Sequence, residues 1–287
     1  MNDHDNAELD GTGWAARLGG DFRVRLLSGL AMGVGAALFT VAGSVPFAVL
    51  VVIVALVVTW EWGRLVHGSE QGIVLAVHLA TTAAAGVLAA CGYVALGLLA
   101  LPIGAILATV LSLGRHSVFS ALGVFYSGFP AVALIWLRSD AAHGLLAAIF
   151  VIAIVVTSDT AAFLSGRLLR GPLLWERISP KKTWAGLVGA LVASAVVGAL
   201  FWFTIPDGSP LRLAATGAAL ALVAQGGDLA ESALKRRFGA KDAGDLIPGH
   251  GGLMDRVDGV VAAASAVGLV ALAIDMQSPA RALLLGL

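Results

Sequence analysis

The chain has 287 residues, of which 59% are hydrophobic and 13% charged, against roughly 45–50% apolar and about 25% charged in an ordinary soluble domain. That excess excludes a water-soluble globule. The 18 Lys+Arg and 18 Asp+Glu cancel to a formal net charge of zero, which excludes a globally basic nucleic-acid binder. The single cysteine, Cys91, excludes an intramolecular disulfide.

Residues 1–23 are polar and acidic at the start (Asp3, Asp5, Glu8, Asp10), unlike the basic start and apolar core of a cleavable signal peptide. They are expected to form a cytoplasmic tail. Apolar runs near 20 residues follow, each long enough as a helix to cross a hydrocarbon layer about 30 Å thick. The spans predicted are 24–42, 46–63, 73–91, 94–113, 119–137, 144–166, 184–203, 211–234 and 257–275. The expected fold is therefore all-α, a polytopic membrane protein of about nine transmembrane helices. Residues 24–143 supply an N-terminal group of helices and residues 144–287 a C-terminal group that carries the chemistry.

Nine crossings put the termini on opposite sides, and the basic residues choose between the two orientations. With the N-terminus in the cytoplasm, fifteen of the 18 Lys and Arg fall on the inner face, leaving Arg138, Arg212 and Arg281 outside. The expected location is the cell inner membrane, with the functional face in the cytoplasm. Trp60, Trp62, Trp136 and Trp202 fall near span ends, where aromatic rings prefer the interface.

Ten of the fifteen inner bases lie in two connections. Residues 167–183 hold Arg167, Arg170, Arg177, Lys181 and Lys182, and residues 235–256 hold Lys235, Arg236, Arg237, Lys241 and Arg256. The second connection interleaves its bases with Asp242, Asp245 and Asp255 and is broken by Pro248 and nearby glycines. A topological bias alone does not require this concentration, so function is sought there.

Carboxylates from three spans approach the same two loops. Asp159 lies eight residues before Arg167, about 12 Å of helix, and Asp228 seven before Lys235, about 10 Å. An acid at such depth is costly and by default faces a polar cavity with a partner. Asp228, Glu231 or Ser232, and Lys235 share one helix face, and Gly226-Gly227 just before them admit close approach of another backbone or a ligand. Asp255 and Asp258, three apart at the start of the ninth span, project in nearly the same direction beside a positive helix end, where they could equally be capping acids.

Acids and bases gathered in this way suit polyphosphate chemistry. Mg²⁺ takes one or two carboxylates together with phosphate oxygens, while Lys and Arg neutralise the rest. Ser179-Pro180-Lys181-Lys182-Thr183 reads as a phosphate-gripping turn at the start of the seventh helix, although paired lysines at such an end also serve topology. A phosphate nucleophile is already ionised near neutral pH and needs no general base. His250 is accordingly assigned to phosphate binding or to loop structure.

The stretch from Ser232 to Asp258, with Ser-Ala-Leu-Lys-Arg, then Lys241-Asp242, then Pro248-Gly-His-Gly-Gly-Leu-Met-Asp-Arg-Val-Asp258, resembles the signature of the phosphatidate cytidylyltransferase (CDP-diacylglycerol synthase) family. Gly227-Asp228-Leu229-Ala230-Glu231-Ser232, Asp159-Thr160-Ala161-Ala162 and Ile178-Ser179-Pro180-Lys181-Lys182-Thr183-Trp184 resemble the same family, so the likeness covers about residues 157–259. One position departs: Ala185 stands where many members carry Glu or Gln.

The resemblance implies an integral membrane enzyme that joins CTP to phosphatidic acid, giving CDP-diacylglycerol and pyrophosphate with Mg²⁺ and a possible second cation such as K⁺. It also implies a homodimer, and a metal pair at the carboxylates matching Asp228 and Asp255. Lys235, Arg236 and Lys241 join these two as expected catalytic residues. Asp159, Ser179, Lys181, Lys182, Thr183, Glu231, Ser232, Asp242, His250, Arg256 and Asp258 are the expected substrate-binding set. The rivals are a CTP-dependent transferase acting on a polyprenyl or ether lipid, and a transporter. Transport sites favour the midplane and paired repeats, and no internal repeat is present.

Overall fold

A computed structural model describes residues 28–68, 72–112, 114, 116–205, 207–244, 246 and 251–286. In chain order the helices are α1 (Ser28–Ala42), α2 (Ser44–His67), α3 (Gly72–Ala90), α4 (Val94–Leu111), α5 (Ser117–Ser139) and α6 (Gly144–Leu169). A hairpin of β1 (Leu173–Trp175) and β2 (Ser179–Thr183) precedes α7 (Trp184–Leu200), α8 (Pro210–Arg237), α9 (Met254–Ile274) and α10 (Pro279–Leu285). From α2 to α9, eight helices are long and apolar enough to cross a membrane, and α1 is the described part of the first predicted span. The chain is thus a nearly all-α, multi-pass membrane protein, and the break between the third and fourth spans falls at Cys91-Gly92-Tyr93 as predicted.

Length separates two helices from the rest. α8 has 28 residues and α6 has 26, about 42 and 39 Å of rise, more than a hydrocarbon core needs. The surplus turns of α8 hold the polar run from Gln225 to Arg237, and even an 18-residue apolar stretch of α8 has a mean hydropathy of only 1.3, the smallest among the spanning helices. Short connections make successive helices antiparallel. The ends of α6 and α8, the hairpin and the start of α9 therefore meet at one face, the basic one.

Three apolar clusters hold the bundle. Phe150, Val151, Ile154, Leu213, Ala221, Val267 and Leu284 join α6, α8, α9 and α10. Phe47, Val51, Ala85, Leu101, Val124 and Val132 join α2 to α5. A smaller cluster of Val58, Trp62, Val66, Ala243 and Met254 ties α2 to the segment before α9 and to its first turn. Small residues let the backbones approach, as expected where lipid supplies little hydrophobic drive. A side chain on Gly227 would collide with Ala262 and with the Asp258 carbonyl, so only glycine lets α8 lie this close to α9.

Several expectations need correction. The segment Ser179–Thr183 is a strand, not a turn: Leu173 pairs with Thr183 and Trp175 with Ser179. Three residues of β2 stand against one of β1, so Pro180, Lys181 and Lys182 form a bulge, where a missing proline N–H costs no ladder bond. The ninth helix begins at Met254, three residues before the predicted 257, and α10 lies outside any predicted span. Trp62 and Trp136 lie near the ends of α2 and α5 but are buried inside the bundle; Trp62 Nε1–H donates to the Phe119 carbonyl at 2.9 Å, which satisfies the polar atom there.

Candidate active site

A cavity of about 550 Å³ opens at the basic end between α6, the hairpin, α7, α8 and the first turn of α9, within the range of small-molecule sites. Its charged lining is Asp159, Asp228, Glu231, Asp255 and Asp258 facing Lys181, Lys182, Lys235 and Arg256. Carboxylates from α6, α8 and α9 thus converge as their common depth predicts.

α8 builds the central wall. Gln225, Asp228, Glu231 and Lys235 recur at helical spacing on one face, and all four line the cavity. Gln225 had no role in the sequence reading, yet it connects the site. Its Nε2–H group donates to Asp159 Oδ1 at 3.0 Å and to Ser158 Oγ at 3.1 Å. Its Oε1 and its main-chain carbonyl each accept from Lys182 Nζ at 3.1 Å. Lys182 also lies 2.8 Å from Asp228 Oδ2. The bulge in β2 breaks strict side-chain alternation, so Lys181 and Lys182 both reach the cavity.

Toward the basic end of the same face, Lys235 Nζ sits between Glu231 Oε2 at 2.8 Å and Asp255 Oδ1 at 2.5 Å. Asp255 Oδ2 accepts the Ala243 N–H at 2.9 Å and the Gly252 N–H at 3.0 Å. Both Asp255 oxygens are therefore engaged. Asp258 lies beside Asp228 and Glu231, and these three carboxylates each offer an oxygen within 4.8 Å of the other two. Oε1 of Glu231 is buried there without a hydrogen-bond partner among the described residues. Three acids packed this closely around an orphaned oxygen, two of them only partly accessible and one fully buried, fit a hard divalent cation.

Both members of the expected pair, Asp228 and Asp255, line the cavity. Asp228 belongs to the converging group, whereas Asp255 stands beside it across Lys235.

The other expected residues divide in the same way. Ser179, Thr183 and Arg256 line the cavity. Thr183 also caps α7, its Oγ1 accepting the Gly186 N–H at 3.0 Å. Ser232 lies off the lining and donates to Asp228 Oδ1 at 3.3 Å. Arg236 is exposed and donates to the Ala240 carbonyl at 3.2 Å. Lys241 and Asp242 are exposed and lie outside the lining. His250 lies outside the described residues. Of Gly226-Gly227, Gly227 is where the α9 backbone approaches closely, and Gly226 faces open space.

The chemistry follows from the charges. Five carboxylates against four cations leave the lining with one formal negative charge in excess, and a divalent ion at the three-carboxylate cluster would reverse the balance. Lys181, Lys182 and Arg256 are placed to take the remaining phosphate charge.

Comparisons with known proteins agree with this chemistry. The cytidylyltransferase family matches residues 23–273. Phosphatidate cytidylyltransferase of Brucella suis biovar 1 (strain 1330) is 36% identical over 248 residues, covering 85% of the chain and 91% of the relative. The Brucella abortus biovar 1 (strain 9-941) protein of the same name is 35% identical over the same length. That of Staphylococcus haemolyticus (strain JCSC1435) is 39% identical over 155 residues, 52% of the chain and 58% of the relative.

Proposed function

The chain belongs to the cytidylyltransferase family, and on that premise we propose that it transfers the cytidylyl group of CTP to phosphatidic acid, giving CDP-diacylglycerol and pyrophosphate. The observation that carries this reading is the cavity itself. Lysines and converging carboxylates meet at one end of membrane-spanning helices, where a water-borne triphosphate and a lipid phosphate can share a chamber.

In the reaction a phosphatidate oxygen bonds to the α-phosphorus of CTP as the bond to the β-phosphate oxygen breaks, and pyrophosphate leaves with the electron pair. Lys182, fixed by Gln225 and Asp228, and Lys181 beside it neutralise phosphate oxygens of the two substrates. Arg256 adds a third cation from α9. Lys235 is held from both sides by Glu231 and Asp255 and so presents a fixed positive charge in the cavity wall. Asp159 acts through Gln225 by keeping its amide oriented toward Lys182. Arg236 and Lys241, exposed outside the lining, contribute positive charge to the approach of CTP.

Mg²⁺ would be held by Asp228, Glu231 and Asp258, and when bound it supplies charge neutralisation of the triphosphate and of the departing pyrophosphate. A second cation such as K⁺ would compete with Lys235 for Asp255. The orientation that follows the basic residues puts the cavity and the N-terminus in the cytoplasm of a cell with the protein in its inner membrane. A homodimer is proposed on the family resemblance alone.

The test is an assay on detergent-purified protein supplied with CTP, Mg²⁺ and one of three acceptors: phosphatidic acid, a polyprenol or an ether lipid. CDP-diacylglycerol and pyrophosphate are expected with phosphatidic acid. Turnover with a polyprenol instead would replace this reading by that of a CTP-dependent lipid kinase.

A further inference from the structure

Outside the cavity, one acid is buried more completely than any within it. Glu61 lies on α2, in the N-terminal group of helices, with no exposed surface. Its Oε1 accepts the Leu253 N–H at 2.9 Å and its Oε2 accepts the Met254 N–H at 2.6 Å, across 192 and 193 residues of chain. These are amides of the start of α9, which have no partner within the helix, and Leu253 at the N-cap supplies no side-chain acceptor. Glu61 therefore caps α9 from another helix and places its charge at the positive end of the dipole.

The fit around this carboxylate is close on every side. A Cβ at Gly252 would lie 2.9 Å from Glu61 Oε1 and one at Gly244 3.0 Å from it, so both ends of the segment before α9 are shaped to the Glu61 head group. The same segment and the same helical turn hold Asp255. The Gly252 N–H next to the Glu61-bound amides donates to Asp255 Oδ2, and Asp255 in turn fixes Lys235. Val58, Trp62 and Met254 pack beside this chain of contacts and keep water from it.

We propose that Glu61 is a positioning residue for the transfer reaction: it sets the first turn of α9 and, through it, the place of Asp255 and Lys235 in the cavity. The role rests on reading the α8–α9 cavity as the transfer site. It assigns the N-terminal helices a part in catalysis beyond anchoring. Geometry held to about half an ångström is what such sites require, and a misplacement of about 1 Å costs up to about 10²-fold in rate.

The experiment measures kcat and KM for CTP and phosphatidic acid on the full chain in detergent for the wild type, Glu61→Gln, Asp255→Asn and the double variant. Glutamine keeps the shape but turns one acceptor into a donor facing a backbone N–H. The expected result is a fall in kcat of about tenfold to a hundredfold in Glu61→Gln, with both KM values within about twofold of wild type. In the double variant Glu61→Gln is expected to lower the residual rate of Asp255→Asn by less than about twofold, because both changes act on one element. A merely structural role would reduce the yield of folded protein and leave kcat per folded molecule unchanged. Should Glu61→Gln fail to fold, Glu61→Asp, which keeps the charge and shortens the reach, carries the same comparison. An inactive Asp255→Asn beside a Glu61 variant with wild-type kcat overturns the role of Glu61 alone. A fully active Asp255→Asn overturns both this role and the reading of the site.

Discussion

Lys182 Nζ lies 2.8 Å from Asp228 Oδ2, and this contact binds the β2 bulge to the polar upper turns of α8. Neither element could place a phosphate-binding lysine alone, because a two-stranded hairpin is marginal by itself and α8 has no basic residue at that level. Gln225 completes the arrangement by accepting twice from the same ammonium group. The cavity is therefore a joint product of a strand irregularity and a helix face.

Replacing Lys182 by Gln is expected to lower kcat/KM for CTP by about 10²–10³-fold, the scale of removing one preorganised charge from a transferring phosphoryl group. Lys182→Arg should recover only part of this loss, since a planar guanidinium cannot reproduce the contacts of a compact ammonium with Gln225 and Asp228. Steady-state kinetics on the two purified variants checks both statements.

Asp258→Asn and Glu231→Gln should each raise the Mg²⁺ concentration needed for half-maximal activity by about tenfold or more, because each removes one charged oxygen from the cluster of three. Ser232→Ala, which loses only a 3.3 Å hydrogen bond to Asp228, is expected to shift it by less than about threefold. Mg²⁺ titrations of initial rate separate the two classes.

Gln225→Leu should both destabilise and slow the protein. It deletes the donor to Asp159 and Ser158 and an acceptor of Lys182 in a buried position, at a cost of about 1–3 kcal/mol for the polar groups left unpaired. A lower thermal midpoint in detergent and a reduced kcat are expected together.

Much of the fold was legible because the bilayer imposes one requirement on every span. Nine apolar runs, their lengths and the Cys91-Gly92-Tyr93 break follow from hydropathy and breakers alone, and the convergence of Asp159 and Asp228 follows from their matching distances to the basic ends. What hydropathy does not encode was missed. The bulged strand at Ser179–Thr183 depends on pairing with β1. Asp255 and Asp258 share a sequence spacing but face different partners once α9 starts at Met254. Gln225 stood three residues before Asp228, on the same helix face, and that periodicity was a usable sign. Glu61 had a weaker one, a lone acid between two tryptophans of an otherwise apolar span, and its partner amides are visible only in three dimensions.

Orientation can be read from the native cysteine. Cys91 is exposed at the turn between α3 and α4, and Arg170 ends α6 at the opposite, basic face. In intact cells a membrane-impermeant maleimide should label Cys91 in the native chain. It should not label Arg170→Cys in a Cys91→Ser background until the membrane is opened. The reverse pattern would invert the orientation.

The central claim is that CTP gives up its cytidylyl group, not its terminal phosphate, to phosphatidic acid at this cavity. The most direct measurement supplies purified protein, Mg²⁺ and phosphatidic acid with CTP labelled at either the α- or the γ-phosphorus and follows the label into lipid. Label from the α position should appear in the lipid and label from the γ position in pyrophosphate, with both products lost in Asp228→Asn. Lipid labelled from the γ position, or undiminished transfer by folded Asp228→Asn, would contradict it.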